Sequence, residues 1–329
     1  MKRTLFSFIK VVFIFVLFFS ILTPIFGGDK RDNVAKRGAS RSSAIYVAGV
    51  EYNGFVGSPV YWKNHKVTHL SGRAEAKSIY VSGNDIYVTG IEQNSEGQYL
   101  AKYWKNEKAV SLSKRQSYAY SIFVSGKDVY VAGCERNSEG DWFALYWKNG
   151  KAIPLSGGSF AYSIFVLGND VYVAGTQGEN EAKYWRNGKA TRLSGGTEAN
   201  SIFVVGNDVY VAGGALGKAM YWKNGKAVQL NGGIAAVSIY VSGNDVYAAG
   251  SNISGGNNVA IYWKNGNVVQ LSGGYEARSI CVIGNDIYVA GCGKGNLGKN
   301  VAMYWKNGKA ITLSDGAQNA EANSMVVVP

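Results

Sequence analysis

Ser201-Ile202-Phe203-Val204-Val205-Gly206-Asn207-Asp208-Val209-Tyr210-Val211-Ala212-Gly213, followed eight residues later by Tyr221-Trp222-Lys223-Asn224-Gly225, decides the fold of this 329-residue chain. The phrase Tyr-Trp-Lys-Asn, with Arg once in place of Lys, begins at Tyr61, Tyr103, Tyr146, Tyr184, Tyr221, Tyr262 and Tyr304. Self-similarity at a period near forty residues marks a repeat architecture. Aligning the chain with itself gives S-I-[YF]-V-x-G-N-D-[VI]-Y-V-A-G, a variable loop, then A-x-Y-W-K-N-G-K-A-V-x-L-S-G-G. Its apolar segments are four to seven residues long and rich in Val, Ile, Tyr, Phe and Trp, the side chains that suit strands. Turn residues separate them, so each repeat reads as four short strands.

The turns have their own logic. Asn-Gly between the third and fourth strands, as at Asn149-Gly150 and Asn224-Gly225, suits a type I′ hairpin, in which both central residues need positive φ. Gly-Asn-Asp joins the first and second strands, with the Asp side chain expected to bond nearby backbone amides. Runs such as Ile202 to Val205 are apolar on both faces, as blades stacked radially around an axis require. The second strand occurs seven times, starting at Ala44, and so does the Tyr-Trp strand. The seventh copy of the first strand is the tail, Ser324 to Val328. The chain is therefore expected to be all-β over residues 43–329. It forms a seven-bladed β-propeller of four-stranded blades, about 41 residues each, closed by the C-terminal strand completing blade one.

Tandem Tyr-Trp-Lys-Asn-Gly repeats of this kind resemble propellers of secreted bacterial proteins. Asp208-Val209-Tyr210-Val211-Ala212-Gly213-Gly214, with Tyr221-Trp222 after it, is distantly similar to the kelch repeat. The resemblance covers residues 43–329 and implies an architecture without a particular activity.

The N-terminus has the order of an export signal. Lys2 and Arg3 precede an apolar run from Val11 to Phe26, with Gly27 and Gly28 after it. Residues 1–28 are expected to be a signal peptide, or a membrane anchor as the alternative, engaging the membrane during export. Residues 29–42 are polar and basic and read as a flexible linker. Either way the repeats are expected outside the cytoplasm, where nucleic acid is not an expected partner despite the net charge of +12. Three cysteines make a disulfide framework improbable, and buried thiols are expected.

Length varies in one place. From each Tyr of Tyr-Trp to the glycine ending the next second strand the spacing is 29 or 30 residues, but from that glycine to the next Tyr it runs from 8 to 13. The loop between strands two and three is thus individual, on the same face as the loops between blades. Long examples carry Tyr99, Arg136 and Trp142, expected as loop contacts. A second variable ring precedes the first strand: Lys77, Tyr120, Tyr162, Asn200, Val237, Arg278 and Asn323. Two positions earlier stand Glu75, Phe160, Glu198, Glu276 and Glu321. Tyr, Arg, Asn and Glu around a channel mouth are expected to hold a ligand by stacking and hydrogen bonding.

Other chemistry is sparse. His65 and His69 fall in one outer strand, ~13 Å apart along an extended chain, too far to share a metal. The aspartates lie one per blade, too dispersed for a Ca²⁺ cage. The repeated lysines form a basic outer ring, readable as attraction to an anionic surface or as protection of edge strands. No metal, cofactor or catalytic residue is expected. These readings combine into a non-enzymatic, monomeric, extracytoplasmic binding propeller for a glycan or protein partner. A structural surface protein without a specific ligand is the alternative, and a glycan hydrolase or lyase stands third.

Overall fold

The computed structural model describes residues 43–178, 180–295 and 297–329. The expected leader at 1–28 and linker at 29–42 lie outside the described residues. Seven antiparallel four-stranded sheets follow one another around a ring. Blade two is typical, with Ala74–Ser82, Asp85–Gln93, Tyr99–Lys105 and Lys108–Ser111 side by side. Blade one takes its innermost strand, Asn319–Val328, from the far end of the chain. That strand pairs with Ala44–Asn53, Val328 opposite Ala44 and Met325 opposite Val47. The seven-bladed ring and its closure are therefore as the sequence predicts.

Tyr and Trp serve different interfaces, because neighbours in a strand point to opposite faces. Trp62 packs on blade seven against Ala302 and Tyr304, with Met325 of its own blade in the same cluster, whereas Tyr61 packs toward blade two beside Ala76, Ile79 and Trp104. All seven of these tryptophans are at most 1% exposed. Burying each such ring contributes a few kcal/mol, which makes blade-to-blade packing the main source of cohesion.

A second element closes the ring at the axis. The first strands of neighbouring blades touch all the way round. The serine in each accepts a hydrogen bond from the next blade's backbone amide. Thus Ile122 N donates to Ser78 Oγ at 3.4 Å, Ile164 N to Ser121 at 3.3 Å, Ile202 N to Ser163 at 3.2 Å and Ile239 N to Ser201 at 3.2 Å. Ile280 N to Ser238, Met325 N to Ser279 and Ile79 N to Ser324, at 3.1, 3.1 and 3.3 Å, complete the circle.

Each first strand is also bulged. In blade two Ala76 opposes Gly90 and Ser78 opposes Thr89, leaving Lys77 unpaired. The same slip releases Tyr120, Tyr162, Asn200, Val237, Arg278 and Asn323 in the other six blades. A bulge re-aims the extra residue. It also explains the glycine within each second strand that faces the bulge: a Cβ on Gly213 would overlap the carbonyl oxygen of Glu198, and one on Gly90 that of Glu75.

The hairpin residues work differently from the sequence expectation. The Asp of Gly-Asn-Asp binds across to the other turn instead of capping its own. Asp208 accepts Asn224 Nδ2 at 2.7 Å and Lys223 Nζ at 2.8 Å, while Asn224 Oδ1 takes the Val209 amide at 2.8 Å. Lys223 also lies 5.2 Å over the Tyr210 ring. The clamp recurs in blades two to seven, so six of the seven repeat lysines or arginines are neutralised in place. The basic ring is left to the second lysines. His65 is corrected too: with φ 71 it holds the second turn position where most blades have glycine, and only Lys66–His69 is strand.

Deleting residues 321–329 should remove most of the closing strand and expose the cores at both sides of blade one. We expect the melting midpoint to fall by more than about 10 °C. An unchanged thermal curve in circular dichroism would contradict closure by the tail. Gly213→Ala should destabilise by about 2–3 kcal/mol through overlap at the bulge, measured by urea unfolding, whereas Gly206→Ala should act only through its positive φ.

Candidate functional site

The bulges bring the variable ring together. Lys77, Tyr120, Tyr162, Asn200, Val237, Arg278 and Asn323 all line one cavity of about 630 Å³ at the mouth of the channel, with Glu198, Glu276 and Glu321 in the same wall. Glu75 stands behind Lys77, whose ammonium it binds, and accepts Tyr52 Oη at 3.1 Å.

The mouth is divided. Blades three and four supply aromatics. Tyr118 stacks on Tyr120 at 6.0 Å and Phe160 on Tyr162 at 6.0 Å, and Tyr120 meets Tyr162 edge-on at 5.2 Å. The expected loop contacts stand at strand ends and pack behind this wall, outside the cavity lining: Tyr99 and Trp142 lie 5.7 and 5.2 Å from Tyr118, and the Arg136 guanidinium sits 5.8 Å over Trp142. Tyr118, which backs Tyr120 from outside the cavity lining, is absent from the sequence reading. Its signal was available, since it occupies the offset of Glu75 and Phe160 in its own blade.

Blades five, seven and one supply carboxylates and Arg278, blade two adds Lys77, and blade six offers only Val237 and uncharged neighbours. Arg278 donates to Glu276 at 2.7 Å, to Glu321 at 2.6 Å and to Asn323 Oδ1 at 2.6 Å. Burial opposes the Arg278 charge, yet Glu321 and Glu276 outweigh it and hold the guanidinium firmly protonated. Asn323 Nδ2 in turn binds the Ala76 carbonyl at 2.8 Å. Glu198 differs. It is exposed, and among the described residues it accepts only Asn200 Nδ2, at 3.2 Å. Four glutamates against two cations make this mouth acidic in a chain of net charge +12.

Burial pushes several phenols up. In Tyr120 burial is reinforced by Cys134 and Tyr162; in Tyr162 burial leads, with Glu198 among the lesser causes. These rings stay neutral and serve as stacking faces. All three cysteines are free and buried, and burial lifts the Cys134 thiol to about 12 and Cys292 to about 11, so neither is a thiolate nucleophile at neutral pH.

No family model matches the sequence, and no curated protein matches it. Solved structures do. Puromycin hydrolase is similar at 14% identity with a TM-score of 0.55 over 85% of this chain and 54% of that one. A puromycin-hydrolysing peptidase of Mycobacterium tuberculosis is similar at 11% identity and TM-score 0.53, over 81% of this chain and 53% of that one. The chain spans about half the length of these proteins, and identities this low show the fold alone. They nevertheless correct one expectation. The expectation of a propeller that recognises a glycan or protein partner is corrected, because the matching structures are a puromycin-hydrolysing peptidase and puromycin hydrolases.

Glu75 offers a test of the mouth's electrostatics. Burial alone would raise its carboxyl, but Lys77, Tyr52 and Arg278 hold it below the usual range. A depressed folded value means the stabilisation is present above the ordinary carboxylate value, about 4.3, and is lost as pH falls through the folded value. Lys77→Met should raise the Glu75 midpoint in a carbon-13 NMR titration and move acid unfolding to higher pH. An unmoved midpoint would remove Lys77 as the main partner.

Proposed function

We propose that the channel mouth holds an amine-bearing aromatic substrate for a hydrolytic reaction, and that the propeller works outside the cytoplasm. One observation carries the substrate class: Glu198 is an exposed carboxylate without a cationic partner among the described residues, beside a wall of stacked Tyr and Phe rings. The remaining mouth carboxylates already have cations: Glu276 and Glu321 share Arg278, and Glu75 has Lys77. An ammonium group reaching Glu198 would gain a charge-assisted hydrogen bond, and its position near Tyr162 and Tyr120 would add cation–π attraction of about 0.5–2 kcal/mol.

Hydrolysis as the context rests on the puromycin hydrolases whose propellers resemble this one. In this reading the propeller collects and orients the substrate, and the bond-breaking groups belong to a catalytic partner. The basic start and apolar run of the N-terminus support export.

Calorimetric titration with tyramine and with uncharged 4-ethylphenol tests the substrate class. Glu198→Gln should weaken tyramine about five- to tenfold, equivalent to about 1–1.4 kcal/mol, and leave 4-ethylphenol unchanged. Equal binding of both probes by the native chain would overturn the amine assignment. Release of product from puromycin by the purified chain alone would place the catalytic groups in the propeller itself.

A further inference from the structure

The seam where the ring closes contains a second cavity, of about 490 Å³, between blades seven and one. Its origin lies in loop length. From the leucine that follows each outer strand to the residue two before the bulged one there are five residues in five blades: Leu70 to Glu75, Leu155 to Phe160, Leu193 to Glu198, Leu230 to Ala235 and Leu271 to Glu276. The count is six from Leu112 to Tyr118 and eight from Leu313 to Glu321.

The five short loops each cap the indole N–H of the following blade's tryptophan. Trp185 Nε1 donates to the Ser156 carbonyl at 3.0 Å, Trp222 to Ser194 at 3.2 Å, Trp263 to Asn231 at 2.8 Å and Trp305 to Ser272 at 3.0 Å. Trp104 donates to Ser71 Oγ at 3.3 Å. The two buried indole N–H groups without a partner among the described residues are those of Trp62 and Trp147, the two that follow the lengthened loops. Added residues lift the capping carbonyl away. At the seam, where three residues are added, the space becomes a cavity with Trp62 in its wall, and Trp62 is only 1% exposed. A buried N–H without a partner costs about 1–3 kcal/mol, so an acceptor supplied from outside would be favoured there.

The remaining lining fixes the chemistry of that acceptor's molecule. Both histidines of the chain, His65 and His69, face this cavity with the carboxylates of Glu51 and Asp315. His69 Nε2 and Glu51 Oε2 are 3.0 Å apart, and His65 Nε2 lies 3.5 Å from Tyr304 Oη. Val67, Leu313, Ala317 and Ala320 give an apolar wall. We propose that the seam cavity is a binding site for a small zwitterion, a free amino acid or dipeptide. Its carboxylate or carbonyl accepts from Trp62 Nε1, its ammonium is balanced by Glu51 and Asp315, and its apolar side chain lies on the aliphatic wall. Two carboxylates make an anion without an amine a poor match, and the buried N–H makes a bare amine a poor one. This site is independent of the channel mouth.

The test uses the full chain with its tryptophan indoles labelled with nitrogen-15, titrated with the dipeptide alanyl-leucine to low-millimolar concentration. The Trp62 indole proton, assigned by loss of its peak in Trp62→Phe, should move downfield as it gains an acceptor. The Trp147 indole is the internal control and should stay. Glu51→Gln should weaken binding about fivefold, equivalent to about 1 kcal/mol. Deleting residues 315–317 restores a five-residue loop, which should cap Trp62 internally and abolish the response. No movement of the Trp62 peak, or equal movement of the Trp147 peak, would overturn the proposal, as would equal binding of acetate or ethylamine alone.

Discussion

An inner strand that carries one residue more than its partner can offer forces a bulge, and the channel mouth depends on that irregularity. Each blade sets Ala-x-Ser against Ala-Gly or Thr-Gly, so the middle residue leaves the ladder. The three inner residues then divide their duties. The alanine is fully buried, as Ala76 and Ala199 are, the serine hydroxyl holds the next blade's backbone, and the released residue reaches the mouth. The glycine opposite accepts the displaced carbonyl. Identity at the middle position is therefore free to change from Lys77 to Tyr120 to Val237 without disturbing the ring.

Charge follows a similar division. The lysine or arginine of Tyr-Trp-Lys-Asn is used up locally by an aspartate and a tyrosine face in blades two to seven. Exposed pairs of this kind are worth little singly, but the asparagine between them fixes both turns through a backbone amide. The net positive charge thus sits on the second lysines around the outer turns, while the mouth on the opposite face is acidic. A cationic ligand meets its only uncommitted mouth carboxylate among the described residues at Glu198.

Strand number, turn type and closure were legible because they are local or are counted along the chain: Asn-Gly pairs take positive φ, and the seventh first strand is found only at Ser324 to Val328. The ring of mouth residues was legible as variation against a constant background. What crosses between blades was not. Ala-x-Ser gives no sign of a bulge until its partner's Ala-Gly is set beside it. Asp208 looked like a cap for its own turn because its true partners, Lys223 and Asn224, come from a different hairpin. His65 reads as a strand residue because only the missing glycine betrays that it occupies the turn. Loop lengths are plain in the sequence, but their effect on Trp62 and Trp147 depends on which carbonyl each indole N–H reaches across the blade boundary.

The closing strand also imposes an order of events. Ala44 and Val328 are neighbours in space, yet bringing together chain positions so far apart costs on the order of 5 kcal/mol in closure entropy. The closing strand is the last part of the propeller to be synthesised. Until it arrives, Ala44–Asn53 presents a bare hydrogen-bonding edge and Trp62 lacks Met325 and Ala322 against it. The tail of a second nascent chain offers that edge the same ten residues. Completion of one molecule is thus in kinetic competition with strand exchange between two, and crowding during biogenesis, more than the equilibrium stability of the finished ring, sets how that competition ends.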